Sequence, residues 1–304
     1  MQHRENHNLD NEGTIVRGVG GFYYVDTGEH TVECRARGIF RKENIKPCVG
    51  DEVSIELVQD SDTLSGVITE IHERKNNCTR PPVSNVDQFI VVSALANPEP
   101  NYRVLDKFLI AAEMRNIDIV ICFTKKDLVG GGTIERARDV YSSVYPLLFM
   151  DARDPECVRD IMPYLFDKKS ALAGPSGVGK STILRTLRKD SSIQTGSVSE
   201  KNKRGRNTTR HVELFKMTDF NGMIFDTPGF TSFDLPDIEP GELAEYYPDI
   251  YRYAGSGKCR FNMCLHDREP GCCVTEAVER GDINPYRYQS YIDELHELQQ
   301  RKKY

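Results

Sequence analysis

Between residues 11 and 79, apolar and polar positions alternate in short runs: GTIVRGVGGFYYVDTG, HTVECRARGIF, GDEVSIELV and LSGVITEIHER. A period of two over such lengths predicts strands with one buried face. Gly20-Gly21, Thr27-Gly28 and Gly50-Asp51 punctuate the runs at roughly even spacing, as turns do in a small closed barrel. The expected fold of this region is an OB-fold β-barrel (oligonucleotide-binding type), with another small β domain as the alternative. Pro81-Pro82 in TRPPVSNVDQ should then interrupt any strand ladder and mark a boundary. Beyond Gln88 the pattern changes: solid apolar runs (FIVVSAL, IDIVICF, PLLFM, SALAG, HVELFKM, GMIFDT) alternate with helical stretches (YRVLDKFLIAAEMRN, IERARDVYSSV, KSTILRTLRKD). That alternation predicts a doubly wound α/β sheet. After DTPG come Pro, Tyr and acidic residues, a Cys/His group, and NPYRYQSYIDELHELQQRKKY, which reads as a C-terminal helix.

A chain of 304 residues has room for one large domain or for two to three modest ones. The formal charge of -6, from 40 basic and 46 acidic residues, excludes a uniform coat for nucleic acid and confines any RNA contact to a local patch. No apolar run has the length of a membrane span, and the N-terminal MQHRENHNLDNEG lacks a signal-type apolar segment. No membrane association and a cytoplasmic location are therefore expected. Of nine cysteines, five are scattered and four fall between Cys259 and Cys273, a clustering that suits metal ligation better than a disulfide framework.

The candidate chemistry lies in three short motifs. GPSGVGKST completes the form G-x-x-x-x-G-K-[ST], between an apolar run and a helical one. Its residues Gly174, Pro175, Ser176, Gly177, Val178, Gly179, Lys180, Ser181 and Thr182 form the expected phosphate-binding loop. Backbone N–H groups and the helix start face the phosphates, Lys180 reaches the β- and γ-phosphates, and Ser181 ligates Mg²⁺. In MIFDTPG, Asp226 can hold Mg²⁺ and the Gly229 N–H can sense the γ-phosphate; alone, DTPG is only a turn. In TKKD (Thr124, Lys125, Lys126, Asp127), the Asp127 carboxylate can accept both guanine N1–H and its exocyclic amine, and the Lys125 stem can cover the base. TKKD is weak alone, but beside the other two motifs it selects GTP and GDP over adenine nucleotides. Thr124 stands where asparagine is usual, so an amide tie to the phosphate loop is expected to be lost. An ordinary GTPase has the phosphate loop before the base motif; here the order is reversed. A circular permutation accounts for this, since position in the sheet matters more than order in the chain.

Cys259, Cys264, His266 and Cys272 read as C-x₄-C-x-H-x₅-C, a closed tetrahedral set for structural Zn²⁺, with Cys273 as a possible substitute ligand. KNKRGRNTTR carries five basic residues and no acid from Lys201 to Arg210. It reads either as a solvated loop or as a surface for rRNA phosphates. RARGIFRK is a second basic candidate, with its aromatic Phe40 expected in the core.

In order, TRPPVSNVDQ, TKKD, GPSGVGKST, GRNTTR, DTPGF and CRFNMCLHDREPGC make the chain similar to the RsgA family of circularly permuted, small-subunit-dependent GTPases. The resemblance implies a multidomain α/β protein. A tail (1–10) would precede an OB-fold barrel (11–80), a circularly permuted P-loop GTPase domain (81–232) and a mostly helical zinc-binding C-terminal domain (233–304). It implies a GTP hydrolase, monomeric, that binds the small ribosomal subunit and its rRNA late in maturation, with subunit-stimulated hydrolysis gating release. The alternative is a GTP-gated RNA-binding switch with negligible turnover. By the same resemblance Thr209 supplies a Mg²⁺-binding hydroxyl, and Asn207 replaces a histidine, so that Asn207, Thr209 and Lys180 are the catalytic candidates. Arg210 replaces a threonine, and Phe230 stands where many GTPases place a water-orienting glutamine. The Ser-Ala turn that supports guanine is present only as Asp151-Ala152.

Overall fold

The computed structural model describes residues 11–42, 45–58, 64–189, 193–194, 212–217, 221–226 and 238–301. They fall into two compact units. One draws on Met1–Gln88, Met162–Leu172 and Leu187–Phe230, the other on Phe89–Ile161, Ala173–Thr186 and Thr231–Tyr304.

In the first unit the alternating N-terminal sequence forms five strands: β1 (Asn11–Val19), β2 (Phe22–Asp26), β3 (Thr31–Ala36), β4 (Glu52–Val58) and β5 (Ser65–Ile71). β1 pairs with β2, β2 with β3, β3 with β5 in parallel, β5 with β4, and β4 again with β1. The pairing closes on itself, so the barrel has no free sheet edge. The apolar half of each alternation points inward: Ile15, Val25, Val32, Cys34, Val53, Ile55 and Ile68 are all essentially inaccessible. Phe40 is buried as well, in accord with its expected core role.

The proline pair does not end strand pairing, contrary to expectation. Asn77–Thr79 and Pro82–Ser84 form a short antiparallel hairpin, with Pro81 in its turn and Pro82 opening the second strand, the strand position that tolerates proline. The hairpin is tied to the barrel through buried Asp51. Its carboxylate accepts from the Cys48 N–H (2.8 Å), the Ser84 hydroxyl (2.6 Å) and Arg74 Nε and Nη2 (2.7 and 2.8 Å).

The same unit contains further strands of the α/β part. Lys169–Ala173 runs parallel to Met223–Asp226, which pairs antiparallel with Glu213–Met217, and that strand meets β1 at Arg17 and Glu213. This sheet is mixed, where the alternation of runs predicted a doubly wound one. The connection from Glu213–Met217 to Met223–Asp226 is too short for the crossover a parallel pair needs.

In the second unit the fully buried strand Gln88–Ala94 neighbours Asp118–Thr124, which is paired in parallel with Leu147–Met150. Helix Tyr102–Glu113 begins where Asn101 Oδ1 accepts from the Val104 N–H (3.1 Å), an N-cap of the usual kind. It buries Leu105, Phe108, Leu109 and Ala112. The C-terminal region is helical: Pro248–Ala254, Cys273–Glu279 and Pro285–Arg301. Leu243, Tyr247, Ile250, Val274, Tyr291 and Leu295 form its core together with Ile110. Among the described residues, no helix is long and apolar enough to cross a membrane.

Candidate functional site

The phosphate loop leaves the strand Lys169–Ala173 and enters the helix Lys180–Lys189. Its first residue, Gly174, has φ +138°, and a Cβ there would lie 2.1 Å from the Val92 carbonyl oxygen. Only glycine can start the loop at that approach. At the far end the Gly179 carbonyl accepts from the Thr182 and Ile183 N–H groups (3.0 Å each), which begins the helix. Between these anchors Ser176 and Gly177 are exposed, Val178 is buried, and Ser181 faces solvent. Lys180 folds back over the loop, its Nζ donating to the carbonyls of Gly174 (2.5 Å) and Pro175 (2.7 Å). Burial pushes its ammonium down to about 8. A cation held by neutral carbonyls beside exposed loop residues is poised to exchange them for phosphate oxygens.

The candidate base-recognition residues are fastened to this loop. Thr124 is fully buried, and its hydroxyl donates to the Val178 carbonyl (2.5 Å), with Ser93 O at 3.4 Å. The tie expected to be lost with asparagine is therefore made by a hydroxyl. Lys125, at φ +60°, extends its Nζ to the Gly177 carbonyl (3.0 Å) and to Asn97 O. Gly179 packs on Thr124 and Ala152, and the Ala152 carbonyl accepts from Thr186 (2.9 Å). Lys126 and Asp127 lie in the short 3₁₀ turn Lys126–Leu128, with Asp127 at the surface. Asp127 Oδ2 accepts from Arg153 Nη2 at 2.6 Å, a partner that sequence reasoning missed. The only available signal was the basic residue next to Asp151-Ala152.

Asp226 ends the strand Met223–Asp226 and is half-buried. Gly229, Asn207, Thr209, Arg210, Phe230 and the basic run from Lys201 lie outside the described residues.

The cysteine motif converges in space. The ligand atoms of Cys259, Cys264, His266 and Cys272 lie within 4.8 Å of one another. His266 Nδ1 is 3.6 Å from Cys259 Sγ and 3.4 Å from Cys272 Sγ. A tetrahedron with arms of about 2.3 Å to sulfur and about 2.0 Å to nitrogen has edges of roughly 3.5 to 3.8 Å, so the set fits Zn²⁺. The ligand loop is braced from outside: Tyr288 and Tyr291 hydroxyls donate to the His266 and Leu265 carbonyls, both at 2.8 Å, and Glu269 Oε1 accepts from the Leu265 N–H (2.8 Å). Burial raises the Cys264 thiol. At Cys272 burial also opposes ionisation, but hydrogen bonding from His266 and from the Thr275 and Val274 backbone outweighs it and holds the thiol below its ordinary value. Cys273 stands outside the four-atom set, 3.1 Å from Cys259 Sγ, and donates to the Tyr253 carbonyl (3.2 Å).

Comparison with known proteins bears on both sites. Residues 12–68 match the family model described as RsgA N-terminal domain, and residues 71–236 match RsgA GTPase. A relative from Clostridium acetobutylicum, named small ribosomal subunit biogenesis GTPase RsgA, is 42% identical over 294 residues, covering 96% of this chain and 99% of its own. One of the same name from Caldanaerobacter subterraneus is 44% identical over 293 residues, covering 96% and 97%. Among solved structures, YjeQ from Thermotoga maritima superposes with a TM-score of 0.81 at 34% identity, covering 95% of this chain and 99% of its own. YloQ, described as a circularly permuted GTPase, superposes with a TM-score of 0.81 at 35% identity and 99% coverage of both chains. With its base motif ahead of its phosphate loop, a closed five-stranded barrel in front and a Cys/His cluster behind, the chain belongs to the RsgA family of circularly permuted GTPases.

Proposed function

We propose that this chain is a Mg²⁺-dependent GTP hydrolase that acts in biogenesis of the small ribosomal subunit, binding the subunit and its rRNA late in maturation and leaving after hydrolysis. The observation that carries the reading is the pair of ties from Thr124 to Val178 and from Lys125 to Gly177, which fasten a guanine-reading motif to a phosphate loop. The printed names of relatives along 96% of the chain support the ribosomal role. In this reading Asp127 accepts from the guanine edge, and the residues from Gly174 to Thr182 wrap the phosphates. Lys180 gives up its two carbonyls for β- and γ-phosphate oxygens. Ser181, Thr209 and Asp226 hold Mg²⁺, which neutralises charge on the phosphates when bound. The Gly229 N–H reads the γ-phosphate, and Asn207 orients the attacking water. Cys259, Cys264, His266 and Cys272 hold a structural Zn²⁺ with no open position. The protein works as a cytoplasmic monomer, with domains over 11–80, 81–232 and 233–304 behind a short tail.

Single-turnover GTP hydrolysis with and without purified small subunits tests the reading, for the natural chain, Asn207→His and Asn207→Ala. An amide can position water but not take its proton, and phosphoryl transfer is mostly positioning and charge stabilisation. The expected result is slow hydrolysis alone, stimulation by subunits, and a further rise with Asn207→His. Equal rates for all three chains would remove Asn207 from the reaction. The asparagine also favours a second reading, a GTP-gated RNA-binding switch. That reading wins if GTP changes rRNA affinity while saturating subunits bring no turnover.

A further inference from the structure

The base-reading carboxylate is already in use. Arg153 Nη2 donates to Asp127 Oδ2 at 2.6 Å, and the same guanidinium forks onto Asp151, Nε to Oδ1 at 3.1 Å and Nη2 to Oδ2 at 3.2 Å. The Arg153 backbone N–H also donates to Asp151 Oδ1 (2.9 Å). These bonds hold the Asp151 carboxyl below its ordinary value. Asp151 is thus the standing partner of Arg153, and the Asp127 contact is a single additional bond from one shared nitrogen.

A guanidinium and the Watson–Crick edge of guanine offer a carboxylate the same thing: two parallel N–H donors on a planar frame. Arg153 presents one such N–H to Asp127, from Nη2, and keeps its fork on Asp151. Lys125 does not compete, because its Nζ is engaged by Gly177 and Asn97 carbonyls. The side chain of Arg153 is 69% exposed, so it can swing away without opening the core.

We propose that Arg153 is an affinity-setting residue of the base site: it occupies Asp127 when guanine is absent, retreats onto Asp151 when guanine binds, and so lowers the fraction of the free chain whose base site is open. The inference rests on the reading of Asp127 as the guanine acceptor. Displacing Arg153 breaks one charge-assisted bond and leaves the Asp151 fork intact, so guanine is not excluded, only opposed. An exposed pair of this kind is weak. The expected effect is accordingly a few-fold change, carried mainly by the on-rate because the competing contact exists only in the free chain.

Association and dissociation of ribose-labelled fluorescent GDP, measured by stopped flow on the full chain, test this. Arg153→Ala is expected to bind GDP about two- to five-fold tighter, through faster association. Arg153→Lys, with a point charge in place of a fork, should fall between the two. In an Asp127→Asn background, probed with xanthosine diphosphate, Arg153→Ala should change nothing, because the carboxylate it competes for is gone. If the natural chain prefers GDP to ADP but Arg153→Ala leaves GDP association and affinity unchanged or weakens them, Arg153 does not compete and the inference falls while the base site stands. If the natural chain shows no preference for GDP over ADP, the base-site reading and this inference fall together.

Discussion

Around the phosphate loop the groups that matter are mostly backbone: Lys180 and Lys125 sit on loop carbonyls, and Gly174 lies so near the Val92 carbonyl that a Cβ would come within 2.1 Å of its oxygen. Among the C-terminal helices the weight falls on buried side chains. Arg287 is inaccessible and donates to Asp249 at 3.0 and 3.1 Å and to Asp106 at 2.5 Å. Asp106 also accepts from the Tyr141 and Ser290 hydroxyls (3.0 and 2.5 Å), and the guanidinium lies over the Tyr247 and Tyr141 rings. Burial raises the Asp106 carboxyl even so. A backbone-built site depends on a few residues adjacent in sequence and fails locally. A buried charge network depends on residues up to 184 positions apart and fails as a whole.

The largest effect should come from the network. Arg287→Ala leaves two buried carboxylates without their cation, which costs about 3–5 kcal/mol. Urea unfolding should show the loss, while the folded fraction keeps its nucleotide affinity. The triple change Arg287→Met, Asp106→Asn, Asp249→Asn should cost clearly less, because no uncompensated charge remains. A loss below about 1 kcal/mol for Arg287→Ala would break the contrast between the two regions.

Gly174→Ala is the matching local lesion. Its Cβ cannot coexist with the Val92 carbonyl, so GDP affinity by calorimetry should drop by at least about 100-fold with little change in thermal stability elsewhere. Affinity retained within tenfold would mean that the strand carrying Val92 yields.

A tenfold effect is expected from pH. The Lys180 ammonium of the free chain is lowered to about 8, and contact with phosphate raises it in the complex. The affinity it contributes is complete below pH 8 and is lost as pH rises through 8 toward the value in the complex. GDP binding should be about tenfold weaker at pH 9 than at pH 7. Lys180→Ala should bind weakly and flatten this part of the profile.

The smallest effect concerns Thr124. Thr124→Val keeps the shape but removes the donor to Val178 O, which should weaken GDP binding about five-fold. Thr124→Asn should restore it, since the amide offers a donor at the same place. No change for Thr124→Val would show that packing against Gly179 suffices.

Much of this molecule is legible from its sequence. The inward residues of the barrel, from Ile15 to Ile68, follow from alternation, because strand side chains take opposite faces. The phosphate loop follows from glycine spacing, because only glycine adopts those backbone angles. The Cys/His cluster follows from ligand type and spacing, because few side chains bind a soft cation. Other features were hidden. Pro81-Pro82 looks like a break, yet it turns a hairpin with the adjacent Asn77–Thr79, whose Asp51 anchor lies elsewhere in the chain. The mixed sheet could not be read from apolar runs, which do not record strand direction.

By itself, then, the sequence determined what is local: the strand alternation, the glycine-rich loop, the order of the TKKD motif before it, and the Cys/His set. Only the tertiary structure decided that Thr124 replaces an amide tie with its hydroxyl, that Arg153 occupies Asp127, and that Arg287 neutralises Asp106 and Asp249 inside the helical core. The physical reason is range. Backbone angles and ligand chemistry are properties of a residue and its neighbours, whereas a hydrogen bond or buried ion pair depends on which distant donor the fold brings within about 3 Å of an acceptor.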